Sequence, residues 1–327
     1  MRRRALLLLL PILAVVGVHA AGPETKYRAP RIASNQPDLG GVWNFSSDVP
    51  LERPAAAAEK KILSPEERDK HRASIENVFK MIGTFAPVED VQISWLDHTS
   101  HIDDLRSSLI SHPENGKLPP LVEGVRRLPS VEQIIGILAS GGQLAPEFLT
   151  ALGGGPAKNG PEDFGLSERC LFAASTPLTP GLNDNYLQIV QGRDHVVLLT
   201  DGTRRLVPLD GRPHLSEQLR SWAGDSRGRW DGDTLVVETK NFNRRTRSFS
   251  GAGTPESKVV TERFTRVAQD RLEYEATVVD PKTFQDTIVL SFPMVKVDAR
   301  IYEVACHEGN YSLPNSLAAA RKEERER

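Results

Sequence analysis

The stretch Arg271-Leu272-Glu273-Tyr274-Glu275-Ala276-Thr277-Val278-Val279-Asp280 puts Leu272, Tyr274, Ala276 and Val278 in one phase and Glu273, Glu275 and Thr277 in the other. A period of two marks a strand with one packed face and one wet face. Ala268-Gln269-Asp270 separates it from Lys258 to Val267, so the two runs read as a hairpin. Working outward, Asp231-Gly232-Asp233 joins Ser226 to Trp230 with Thr234 to Thr239, and Asp201-Gly202 joins His195 to Thr200 with Arg204 to Leu209. Asp-Gly between β-rich runs is a strong hairpin signal. Tyr186 to Val190 precedes these runs, and Thr287 to Phe292 and Ile301 to Val304 follow. About eight strands on tight connections predict a mainly β (α+β) fold: an antiparallel, up-and-down, β-barrel-like sheet that closes on itself and so removes its edges.

The N-terminal half is less regular. Ser64-Pro65-Glu66-Glu67 offers an N-cap, a proline at the first helical position and a glutamate three residues after the cap, which predicts a helix through about Phe79. Residues 130–138 and 146–152 read as two further helices, the second ended by Gly153-Gly154-Gly155-Pro156, so helical insertions are expected at about 64–79 and 130–152. Gly41-Val42-Trp43, after Pro37-Asp38-Leu39-Gly40, resembles the opening strand of lipocalin-type barrels. That resemblance implies a Trp packed at the closed end against a late-strand arginine, and Arg263 and Arg266 are available. Too few strands precede residue 185 to build a separate sheet. Residues 21–320 are therefore expected to form a single β-barrel-like domain, with 321–327 a charged tail that is a solvated helix end or disordered.

The chain has 327 residues, 41 Lys+Arg against 43 Asp+Glu, and two cysteines. A near-neutral balance gives no basic footprint for a phosphate backbone, so nucleic acid is not an expected partner. Met1-Arg2-Arg3-Arg4, the apolar run from Ala5 to Val18 and Val18-His19-Ala20 read as a signal peptide cut after Ala20. The run is shorter than the ~20 residues a span requires, so no stable membrane insertion is expected after cleavage and the protein is placed in the periplasm or outside the cell. An oxidising compartment favours a disulfide between Cys170 and Cys306, which would staple the fold. The neighbouring His307 and Glu308 keep two alternatives open: independent thiols, or a cysteine nucleophile or metal ligand.

Four stretches resemble a family of uncharacterised secreted proteins of soil bacteria. They are Pro208-Leu209-Asp210-Gly211-Arg212-Pro213-His214, Gly224-Asp225-Ser226-Arg227-Gly228-Arg229-Trp230-Asp231-Gly232-Asp233-Thr234-Leu235, Glu262-Arg263-Phe264 and Cys306-His307-Glu308-Gly309-Asn310-Tyr311. The likeness extends to Leu166-Ser167-Glu168-Arg169-Cys170 and Trp95-Leu96-Asp97; it implies export and a single unit, and no activity.

Phosphate-loop, dinucleotide-fold and zincin motifs are missing from the sequence. The His98-Thr99-Ser100-His101 cluster with Asp97, Asp103 and Asp104 has metal-ligand residue types but reads better as a polar turn, so no metal and no cofactor are expected. The ionisable residues beside Gly-rich turns have the best claim on a function. His307 and Glu308, or His214 and Asp210, form candidate acid/base pairs; Arg212, Asp225, Arg227, Trp230, Asn310 and Tyr311 are candidate ligand contacts. The leading expectation is a barrel binding a small, partly apolar ligand. An isomerase, lyase or hydrolase using a His/acid pair at the rim, and a structural envelope protein, are the alternatives. Oligomeric state is left open.

Overall fold

The structure is a computed structural model and describes residues 27–326 apart from 58, 74–101, 103, 129–157, 167–168, 172–175, 182–184, 201 and 303–304. The predicted signal peptide, the helices at 130–138 and 146–152, the His98–His101 cluster and the Trp95-Leu96-Asp97 stretch lie outside the described residues.

Ten strands form one antiparallel sheet: β1 (Gly41–Asn44), β2 (Ile110–His112), β3 (Tyr186–Gln191), β4 (His195–Thr200), β5 (Thr203–Pro208), β6 (Asp225–Asp231), β7 (Thr234–Lys240), β8 (Val259–Arg266), β9 (Arg271–Val279) and β10 (Ile288–Val297). Their order is β5-β4-β3-β1-β10-β9-β8-β7-β6, with β2 added on β10, and the sheet curls into a nearly closed barrel. Two meanders, β3 to β5 and β6 to β10, are thus joined through β1. This four-residue strand pairs with Leu187 and its neighbours on one side and with Lys296 and its neighbours on the other. The expected pairing of the Gly-Val-Trp segment with the C-terminal half is present.

The interior follows the alternation. Leu235 and Val237 on β7, Val260 and Phe264 on β8, Leu272, Tyr274, Ala276 and Val278 on β9, and Ile288, Leu290, Phe292 and Met294 on β10 pack into one continuous core. Trp43 is fully buried, and its indole Nε1 donates to the Leu39 carbonyl at 2.9 Å. Arg266 lies over the indole, 5.7 Å from the ring centre, and its Nη1 donates to the Asp38 carbonyl at 2.8 Å. Of the two arginines expected to compete for this place Arg266 takes it; Arg263 points outward to Asp231.

Two expectations need correction or extension. Ile301 and Tyr302 are not in a strand. Instead β10 runs on to Val297, through Pro293. Proline is tolerated there because β10 changes neighbours at that point. The Ser291 amide donates toward Leu109 beside β2, and pairing with β1 begins only at Val295, so the outward side of Pro293 has no ladder bond to lose. Of the two forms expected for the charged tail the helix end is present: residues 321–326 close a helix, α2 (Ser312–Glu326), that follows the short α1 (Cys306–Gly309). The predicted capping box forms: Ser64 Oγ accepts from the Glu67 amide at 3.2 Å, Glu67 Oε2 accepts from the Ser64 amide at 2.9 Å, and residues 65–73 are helical.

Cys170 and Cys306 are bonded, with Cα atoms 5.7 Å apart and a separation of 136 positions in sequence. Asn310 Nδ2 donates to Cys170 Sγ at 3.4 Å, and Asn310 Oδ1 accepts from the Leu313 amide at the start of α2. The Cys-His-Glu-Gly-Asn-Tyr run is thus a staple leading into a helix cap. A loop of this length confers about 4–5 kcal/mol on the chain-entropy model.

The barrel is sealed at β5 and β6 by side chains, not by a ladder. A Cβ built on Gly228 would lie 2.6 Å from Leu209 Cδ2 and 2.7 Å from Val207 Cγ1, so only glycine lets the two edges meet. Gly228→Ala is expected to cost about 1–3 kcal/mol through overpacking, read from the urea midpoint; an unchanged midpoint would show that the seam does not close this way.

Candidate functional site

The predicted candidates fall into three places. The segment after β5 folds back over the seam. His214 Nδ1 lies 2.8 Å from Asp225 Oδ2 on β6, and its Nε2 lies 3.1 Å from Glu238 Oε1 on β7. Arg227 adds an ion pair to Asp225 at 2.6 Å and a hydrogen bond from Nε to the Pro213 carbonyl at 2.9 Å. Burial opposes the Asp225 charge, but the Leu215 amide, His214 and Arg227 together hold its carboxyl below the usual range. With both ring nitrogens facing carboxylates, His214 offers no open lone pair to a substrate. It works here as a latch across the seam. Asp210 pairs with Arg212 instead of orienting His214, and that hydrogen bond lowers its pKa to about 2.

Trp230 takes the opposite side of β6, paired with Leu235, and packs against the barrel core. It therefore does not share a surface with Asp225 and Arg227. His307 and Glu308 sit exposed in α1 beside the disulfide, and Tyr311 is 72% exposed. Among the described residues no side-chain hydrogen bond or ion pair connects the His307/Glu308 pair with the His214 latch. A surface cleft of about 580 Å³ between them in sequence is lined by Glu217, Gln218, Arg220, Asn243, Arg244 and Arg245, none of which was among the candidates.

The concentration of buried charge lies elsewhere, inside the barrel. Arg205 on β5 and Glu262 on β8 form a two-bond ion pair with their side chains 5% and 0% exposed. Tyr274 on β9 donates to Glu262 Oε1 at 2.8 Å. Burial works against the Arg205 charge and the Glu262 carboxylate outweighs it, while burial and the same carboxylate push the Tyr274 phenol well above its ordinary value. Just before β8, Lys258 is 3% exposed, its Nζ 4.0 Å from the centre of the Phe242 ring. Asp280, after β9, is 2% exposed and accepts from the Ser248 and Ser257 hydroxyls.

A segment outside the sheet closes this end. The Thr176 carbonyl accepts from Lys258 Nζ at 3.0 Å, the Leu178 amide donates to Tyr274 Oη at 3.0 Å, and the Leu178 side chain joins the core. Three residues thus supply an acceptor, a donor and an apolar group to the mouth of the barrel.

Phase could have revealed this site. Lys258, Val260, Glu262, Phe264 and Arg266 share one face of a strand whose apolar members must point inward. Glu262 and Lys258 therefore read as buried charges, and Glu238 follows likewise from its register opposite Arg227 in the hairpin. The contact with 176–178 has no local signal.

Among the described residues no group of three or more His, Cys, Asp or Glu side chains is placed to hold a metal ion, and no helix is long and apolar enough to cross a membrane. No family model, no curated protein and no solved structure matches the chain.

Burial lowers the Lys258 pKa from 10.5 to about 8, against the pull of Asp280 and Glu262. Between those two values the unfolded chain holds a proton that the folded chain has released, so stability rises with pH across that window. Below it Lys258 costs the fold about 3 kcal/mol. Lys258→Met is expected to raise the urea midpoint at pH 7, with the advantage shrinking by pH 10. A variant no more stable than the parent at pH 7 would show that the ammonium is not a burden.

Proposed function

We propose that this is an exported β-barrel protein that binds a small, partly apolar molecule at the barrel mouth, in the place now taken by residues 176–178. The observation that carries the reading is the pairing of two buried side chains, Lys258 and Tyr274, with backbone groups of a segment that is not part of the sheet. A purely structural mouth would be covered at lower cost by apolar side chains, since a buried ammonium facing one carbonyl is expensive. Thr176, Pro177 and Leu178 have the chemistry of a bound ligand: one hydrogen-bond acceptor, one donor and a branched apolar group. Binding then means exchange of this internal occupant for an external one. The inward residues Leu235, Val237, Tyr274, Ala276 and Ile288 belong to the packed core on which this segment rests. Export through a signal peptide supports a role outside the cytoplasm, and the lipocalin-like resemblance of Gly41-Val42-Trp43 supports the use of a barrel mouth.

1-Decanol is a suitable probe because it has one hydroxyl and an apolar chain. Saturable one-site binding that raises the melting temperature is expected. Leu178→Ala should tighten it about tenfold or more, because weakening the internal occupant raises the open fraction. Absence of saturable binding in both proteins would overturn the reading.

A further inference from the structure

We propose that Lys258 is an imine-forming nucleophile, and that the molecule seated at the barrel mouth is an apolar aldehyde or ketone whose carbonyl takes the place of the Thr176 carbonyl. The proposal rests on the binding reading above and names its ligand class. The Lys258 ammonium is buried and carries three N–H groups, yet its one hydrogen-bond acceptor among the described residues is the Thr176 oxygen at 3.0 Å. Both nearby carboxylates are engaged elsewhere, Glu262 by Arg205 and Tyr274, and Asp280 by Ser248 and Ser257. The position opposite the amine is thus held by a neutral carbonyl oxygen.

Charge decides between a carbonyl and an acid. Arg205 and Lys258 balance Glu262 and Asp280 in this interior, so a carboxylate would bring an uncompensated negative charge beside two buried acids, whereas a neutral carbonyl leaves the balance intact. Burial, which holds the Lys258 pKa near 8, gives a substantial fraction of free amine in mildly alkaline conditions. In the step itself the amine lone pair adds to the carbonyl carbon and a C–N bond forms. The carbonyl oxygen then leaves as water, taking the two protons of the amine, and a C=N bond remains. No electrons change hands. The charged groups acting on Lys258 are Glu262 on its own strand side and Asp280 just after β9, and Glu262 in turn holds Arg205 from β5 and Tyr274 from β9.

The test is reductive trapping. The full-length protein is incubated with decanal and sodium cyanoborohydride between pH 6 and 9, and the site of the decyl group is located by peptide mass spectrometry. Expected is preferential labelling of Lys258 that rises through pH 8 and is suppressed by excess 1-decanol. Lys258→Arg, which keeps the charge, should abolish that label. If 1-decanol binds and the label falls on other lysines with Lys258 unmodified, the imine proposal fails and the binding reading survives. If neither probe binds, both fail.

Discussion

The Arg205–Glu262 ion pair crosses the inside of the barrel and joins two strands that are not neighbours in the sheet. β5 is one free end of the strand order, so the closure of the barrel depends on contacts of this kind and not on a ladder. Such a pair stabilises little by itself, because both ions were taken out of water, but removing either partner strands the other at a cost of about 3–5 kcal/mol. Its geometry also fixes Tyr274, whose phenol is held on Glu262 Oε1 and can therefore accept the Leu178 amide. The chemistry of the mouth begins from this pair.

Outside the barrel the same seam is latched by His214, Asp225, Glu238 and Arg227, and Gly228 lets the edges approach. The motifs that look most chemical in the sequence, Asp-Gly-Arg-Pro-His and Gly-Asp-Ser-Arg-Gly-Arg-Trp, meet along this line. His214, Asp225 and Arg227 from these motifs latch a barrel that lacks its last ladder. Cys170 and Cys306 complete the scaffold by tying the connection before β3 to the C-terminal helices.

The sheet was legible because period two and Asp-Gly turns are local properties. The run from Arg271 to Val279 shows both faces of its strand directly. β10 was read too short because Pro293 signals a break, and only the exchange of partners from β2 to β1 makes it harmless. The disulfide followed from the presence of two cysteines together with the expectation of an oxidising compartment, whereas the mouth did not follow from any motif. Lys258 and Glu262 could be placed inside by phase, but the segment that meets them lies 82 residues before Lys258 and has no periodicity. Contacts of that range are set by the closed fold and leave no mark in local sequence.

The central claim is that residues 176–178 occupy a ligand's place, and backbone hydrogen exchange at the Leu178 amide addresses it most directly. In the free protein this amide is bonded to Tyr274 in the buried mouth and should exchange slowly. Saturation with 1-decanol should speed its exchange while the amides of β8 and β9 stay protected, because the segment leaves and the sheet does not. Unchanged or slower exchange at Leu178 in the saturated protein would contradict the account.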